Sequence, residues 1–318
     1  MLKKTDKVLI IKHGALGDLI QSDGVLQDIR QHFSNCEISL LTSPAYATLM
    51  RRCPHIDRVL TDPRASWWQW HQQRQMLAAL AQEGFSRVID LQNSDRTRLY
   101  QRWGLKNQHW ISRSQGPEPE SGLKGQVALL KQAGIPVEYA FYPDVSWMSA
   151  NVAHLLPDSL DQSPFVALIP GCSAAHPEKR WPYYPQLAYA LIANGFEVVN
   201  ILGPDEMELA DDLPGFTPAL EHGLLNWFEL AGLLQKASFV IGNDTGPSHL
   251  ASCLGRPGLA LFGGKTSVAR AEIRRGEFRA LKVNDLLQLS VETVMAAALP
   301  RLPVPSLRPA RPVPLSSY

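Results

Sequence analysis

Apolar and polar positions fall into two repeating patterns along the chain. Short, continuously apolar, β-branched runs read as buried strands, and longer runs with apolar residues every three or four positions read as helices. KVLIIK opens the series as a strand, and residues 18 to 33 read as a helix. EISLL is a strand, Tyr46 to Arg52 a helix, and RVL at 58–60 a short strand. Trp67 and Trp68 precede a helical run through Ala81, then RVIDL is a strand followed by a basic helix from Asp95 to Trp103. A proline-dotted, less periodic interval runs from Phe141 to Pro164. The pattern restarts with the strand FVALIP, the helix YYPQLAYALIANG, the strand FEVVNIL, a helix near Asp205 and the helix NWFELAGLLQKA. SFVIGNDTGPSHLASCLGRPGLALF then reads as strand, turn, helix, strand. Strands alternating with helices predict parallel sheets. The expectation is an α/β chain of two doubly wound domains facing a cleft, at residues 1–155 and 156–300. A Pro-rich, extended tail follows at 301–318. Ligands of such sheets sit beyond the carboxyl ends of the strands.

Composition narrows the class. The chain has 318 residues, is 45% hydrophobic and 19% charged, and carries a net charge of +1. That suits a soluble globular protein and excludes a nucleic-acid-binding polycation. The four cysteines form no C-x-x-C pair, so neither a metal nor a disulfide framework is indicated. No stretch approaches the roughly 20 apolar residues of a membrane span, and the apolar run VLII is too short for a signal peptide.

Four βα turns carry candidate chemistry. In KHGALGDLIQS, a strand ends, Gly14 and Gly17 make a tight turn, and Asp18 begins a helix. Asp18 is there either as an N-cap or as a carboxylate that accepts a proton from a hydroxyl nucleophile. The turn lacks G-x-G-x-x-G, which disfavours a dinucleotide oxidoreductase. In IPGCSAAHPEKRWPYY, Ser173, Lys179 and Arg180 lie on a loop before a helix, and the lysine suits phosphate oxygens. Trp181 and Pro182 fix that loop against the domain. In GNDTGPSH, Asp244 is read as the cap of a helix whose first turn contains Pro247. Thr245, Gly246 and His249 then surround a helix N-terminus, a ready anion site. Glu206 opens a helix in LGPDE.

In order along the chain, G-D at the first turn, P-x-KRWP, LGPDE and DTGPSH resemble glycosyltransferase family 9, the bacterial ADP-heptose:lipopolysaccharide heptosyltransferases. The resemblance runs to about residue 263. It implies two Rossmann-like domains in the GT-B arrangement. It also implies inverting transfer of a heptose from an ADP-activated donor to a hydroxyl of the lipopolysaccharide inner core, with no metal or other cofactor. Carried over, Asp18 is the catalytic base and Lys179 offsets charge on the departing diphosphate. Ser173, Asp244, Thr245, Gly246 and His249 hold the donor phosphates, Glu206 the ribose, and Leu225 lies beside adenine. The partners implied are a nucleotide sugar and an anionic glycolipid at the inner membrane surface, with no nucleic acid. A cytoplasmic enzyme, peripheral at that membrane, follows. Transfer of another activated sugar, a protein acceptor, or noncatalytic nucleotide-sugar binding are the alternatives.

Acceptor binding is expected from Arg64, beside two tryptophans, and from Arg96, Arg98 and Arg102 on the basic helix, with Lys106 and Arg113 beyond it. An exposed helix face explains the same charges. Two departures from the family pattern fall on the sugar and acceptor pockets. GGKTSV at 263–268 stands where G-P-T-D-P is common, and Ser22, Asp23 and Gly24 replace a usual proline.

Overall fold

The computed structural model describes residues 6–66, 69–112, 122–218 and 223–304. Trp67, Trp68, Arg113 and the tail from residue 305 lie outside the described residues. The chain divides into two units, residues 1–148 and 149–318. The division falls earlier than the expected 155. The Ala150 N–H donates to Phe228 O, which ties the middle of the irregular interval to the second unit.

The first unit holds β1 (Lys7–Ile11), β2 (Glu37–Thr42), β3 (Arg58–Thr61), β4 (Arg87–Asp90) and β5 (His109–Ser112). They form one parallel sheet in the order β3-β2-β1-β4-β5. The second holds β6 (Phe165–Ile169), β7 (Glu197–Asn200), β8 (Phe239–Asn243), β9 (Gly258–Phe262) and β10 (Phe278–Lys282). Their order is β10-β9-β8-β6-β7, again all parallel. Both are doubly wound, Rossmann-like orders. The direction of winding reverses between β1 and β4 in one and between β6 and β8 in the other. The central strands are apolar on both faces, as helix-covered parallel strands must be. β5, β10 and the helices Gly122–Gln132 and Val291–Ala298 carry weaker patterns and were not anticipated.

The helix expected over 18–33 is two helices, Leu16–Gln21 and Asp23–His32. The break falls at Ser22, whose hydroxyl donates to Asp18 O at 2.6 Å. The residues that replace the family's proline have structural work here. Asp23 accepts from Trp147 Nε1 at 3.0 Å and from the Asp144 N–H at 3.2 Å. One turn on, Asp28 accepts from three successive amides, those of Glu138, Tyr139 and Ala140. A side chain at Gly24 would meet Tyr139 O at 2.0 Å, so glycine is required for this approach. All four cysteines are buried and none is in a disulfide. Burial pushes the Cys53 thiol up to about 12, which leaves it unreactive.

Candidate active site

Both winding reversals coincide with the turns singled out in the sequence. In the first unit, the turn after β1 carries Lys12, His13 and Gly14 into the helix Leu16–Gln21. Ala15 is that helix's N-cap and makes no side-chain cap bond. Asp18 therefore sits within the first turn rather than capping it, and its side chain is 56% exposed. Lys12 Nζ lies 4.0 Å from Asp18 Oδ2. Gly14, at φ +115°, packs against the Tyr46 ring, where no other side chain has room. Burial raises the pKa of Tyr46, and the nearby Asp18 carboxylate adds to the rise.

Behind this turn lies a charged network that the sequence reading missed. Asp62, directly after β3, is fully buried. Arg96 donates to it from Nε at 3.1 Å and from Nη2 at 3.2 Å. Tyr100 donates its hydroxyl and Arg64 its backbone N–H. His13 Nε2 stands 3.0 Å away, off the line of a hydrogen bond. Burial pushes the Asp62 carboxyl up, but the contacts to His13, Arg96 and Tyr100 outweigh it and hold the group well below the usual carboxylate range. Arg96 Nη1 also donates to Ala65 O at 3.0 Å. Arg96 is thus turned inward, correcting its reading as an acceptor contact. Arg64, at φ +52°, holds a left-handed backbone and keeps its side chain exposed. Arg98 pairs with Asp95 on the outer face of the helix Asp95–Trp103 and Arg102 is exposed beside it. The network's one sequence trace was Asp62 in DPR, at the end of a strand.

In the second unit, Lys179 ends a short 3₁₀ turn, Pro177–Lys179, in the loop after β6. Its Nζ lies 2.9 Å from Asp244 Oδ2 and 3.3 Å from Asp244 O. Asp244 Oδ1 is 3.6 Å from His249 Nε2. Burial raises the Asp244 pKa, and the bonds from His249 and Lys179 overturn that, leaving it below its ordinary value. Thr245, not Asp244, is the N-cap of the helix Gly246–Cys253. The three side chains therefore converge just before a helix N-terminus, whose first amides have no partner within the helix.

Asn243, buried at the end of β8, joins the two loops. Its Nδ2 donates to Pro170 O and Gly171 O, and its Oδ1 accepts from the Trp181 N–H and Tyr184 hydroxyl. Trp181 is buried and donates Nε1 to Leu289 O at 2.9 Å, fixing the loop as expected. Glu206 is 5% exposed and faces inward. It accepts from the Gly203 N–H at 2.7 Å and the Cys172 N–H at 3.1 Å, and Arg180 Nη2 lies 3.5 Å away. Ser173 is exposed and accepts from the Ala175 N–H. Leu225 is half-buried, one residue before the N-cap of Trp227–Lys236.

A pocket of about 140 Å³ opens beside Lys179, lined by Glu178, Gly263, Gly264, Thr266 and Asn284 among others. Lys282, also unforeseen, holds this loop by donating to the carbonyls of Gly263, Gly264 and Thr266. Among the described residues, no three His, Cys, Asp or Glu side chains gather as a metal-ligand set.

The pattern of the family described as glycosyltransferase family 9 (heptosyltransferase) matches residues 119–275. By this pattern, which spans just under half of its length, the chain is similar to glycosyltransferase family 9. The lipopolysaccharide core heptosyltransferase OpsX of Haemophilus influenzae is 23% identical over 275 residues, covering 80% of this chain and 78% of that protein. The structure of Escherichia coli heptosyltransferase WaaC with ADP superposes with a TM-score of 0.72 at 18% identity, covering 93% of this chain and 99% of WaaC. WaaC with ADP-2-deoxy-2-fluoro heptose gives 0.69 at 20% identity, covering 92% and 99%. This glycosyltransferase therefore shares its fold with those enzymes. No helix among its described residues is long and apolar enough to cross a membrane.

Proposed function

We propose that this glycosyltransferase moves a heptose from ADP-heptose to a hydroxyl of the lipopolysaccharide inner core, with inversion and without a metal ion. The observation that carries the donor assignment is the convergence of Lys179, Asp244 and His249 at the N-terminus of Gly246–Cys253. A diphosphate leaving group gains negative charge as its bond to the sugar breaks. Preoriented cations and amides stabilise that charge. Charge-assisted bonds contribute roughly 1.5–3 kcal/mol each, so a lysine and two or three amides supply the stabilisation a divalent cation would otherwise give. Binding of the diphosphate draws Lys179 from Asp244, and His249 remains on the carboxylate.

Asp18 takes the proton of the acceptor hydroxyl as that oxygen attacks the anomeric carbon. The carbon–oxygen bond to the diphosphate breaks on the opposite face, so a single displacement inverts the configuration. The exposure of Asp18 at the winding reversal of the first sheet suits this role. Ser173, Thr245 and Gly246 serve the phosphates, and Leu225 the adenine. Glu206 serves the ribose only after exchanging one of its present backbone bonds. Arg64 meets the anionic acceptor. The GGKT loop lines the pocket beside Lys179, so the sugar is the part of the donor most open to variation, and another activated sugar is the second reading.

The test is turnover of a panel of ADP-sugars with core-truncated lipopolysaccharide, with and without a chelator. ADP release that needs both the heptose donor and the acceptor, survives the chelator and yields the opposite anomer supports the proposal. Release only with a divalent cation, or from another sugar alone, overturns it in part.

A further inference from the structure

The helices Trp70–Gln82 and Asp95–Trp103 of the first unit border an apolar groove of about 560 Å³. Trp70, Leu77 and Ala78 line one side, and Trp103 and Gly104 the other. Both indoles are turned to solvent, Trp70 at 49% and Trp103 at 65% exposure. Leu99, one helical turn before Trp103 and on the same face, is exposed too. Soluble surfaces seldom collect such residues without a partner.

The charge around the groove is predominantly positive. Helix Trp70–Gln82 contains no acidic residue, and its Arg74 lies 5.6 Å over the Trp70 ring. Helix Asp95–Trp103 contains only Asp95, which is already paired with Arg98. Arg98 and Arg102 form a stripe one position before Leu99 and Trp103. The next carboxylate, Glu83, is held by Arg58 at 2.8 Å and faces Lys7 at 3.5 Å. The face thus presents exposed indoles beside cations with a single competing acid. Indoles favour the headgroup level of a bilayer, and arginines pair with lipid phosphates. A second copy of this chain would present the same cations to themselves, because a two-fold interface brings like patches together.

We propose that this face docks the protein on an anionic phospholipid bilayer, with Trp70 and Trp103 in the interface and Arg74, Arg98 and Arg102 on headgroup phosphates. Arg98 and Arg102 thereby act on the membrane rather than on the sugar acceptor. Docking needs neither donor nor acceptor, so it stands apart from the reaction assigned above and its failure would leave that reaction untouched.

The experiment is co-sedimentation of the full chain with vesicles of phosphatidylcholine alone and of phosphatidylcholine mixed with phosphatidylglycerol. The protein should sediment with the mixed vesicles, scarcely with the neutral ones, and less as salt rises. Arg98→Ala and Arg102→Ala should each weaken binding roughly fivefold. The double variant Trp70→Ser/Trp103→Ser should abolish sedimentation while melting with the parent. If it melts lower, Trp103→Ser alone, at a mostly exposed position, should still lower binding several-fold. Equal sedimentation with both vesicle types, or tryptophan variants that sediment like the parent, overturns the proposal. A parent that self-associates without lipid, and tryptophan variants that do not, would also overturn it by making the face an interface between copies.

Discussion

Arg96 and Asp62 meet in a two-pronged pair inside the first unit, Nε 3.1 Å from Oδ2 and Nη2 3.2 Å from Oδ1. Removing one partner of a buried pair leaves the other charge uncompensated, at a cost of about 3–5 kcal/mol. Arg96→Ala should therefore lower the unfolding free energy by about that amount in denaturant titration, while Arg98→Ala on the exposed side of the same helix changes it little. Lysine at 96 should recover only part, since it cannot make the fork. The folded Asp62 carboxyl titrates below its unfolded value of about 3.9. Its contribution is thus present above that pH and is lost as pH falls below it. Acid unfolding should be less steep in Asp62→Asn than in the parent.

Asp18→Asn separates chemistry from structure. Ala15 holds the N-cap and the Asp18 side chain is exposed. The loss to folding is then limited to the carboxylate's interaction with the helix dipole, about 0.3–1 kcal/mol, and to its 4.0 Å pair with Lys12. A general base contributes about 10²–10⁴-fold. Steady-state transfer should fall by that order, with a near-parent melt and unchanged ADP affinity by calorimetry. A variant that transfers at the parent rate would place the base elsewhere.

Lys179→Ala should weaken ADP binding and slow transfer. It should also destabilise the second unit, because Asp244 is buried and, among the described residues, keeps His249 alone as an ion partner. Adding Asp244→Asn should restore much of the stability without restoring ADP affinity. A double-mutant cycle read by both melting and calorimetry tests this. Equal recovery of both would mean that the pair is structural alone. Arg180, which lies 3.5 Å from the buried Glu206 carboxylate, becomes a second stabilising cation at this site. Its replacement by alanine should cost stability, more than an outward-packing side chain would.

The two sheets were legible because fully buried parallel strands write continuous apolar runs, as in FVALI and GLALF. β5 and β10 were not, since HWIS and FRALK mix polar residues into half-buried edges. Asp18, Lys179 and the Asp244–His249 turn stood out as candidates because βα turns punctuate the pattern with glycine, proline and charge. The orientation of a charge could not. Arg96 and Arg98 look alike in DRTRLYQRW, and only the position of Asp62, 34 residues earlier, decides which one turns inward. Glu206 likewise reads as a helix-opening acid, whereas it bonds Cys172 across a close approach that Gly171 permits. A Cβ at 171 would stand 2.1 Å from its carboxyl carbon.

Lys282 tests how the sugar is chosen. Its amine holds three carbonyls of the 263–266 stretch, which lines the pocket beside Lys179. Its amine's bonds to the loop go to backbone carbonyls, so Lys282→Met keeps the length and apolar stem while releasing the loop. The pocket should then lose its shape without losing the cation that meets the diphosphate. Calorimetry should give near-parent affinity for ADP and several-fold weaker affinity for the intact sugar nucleotide, and the KM for donor should rise more than kcat falls. Parallel loss of both affinities would mean that the loop supports the diphosphate site itself. Unchanged affinity for both would remove the loop from donor recognition and return the choice of sugar to other parts of the second unit.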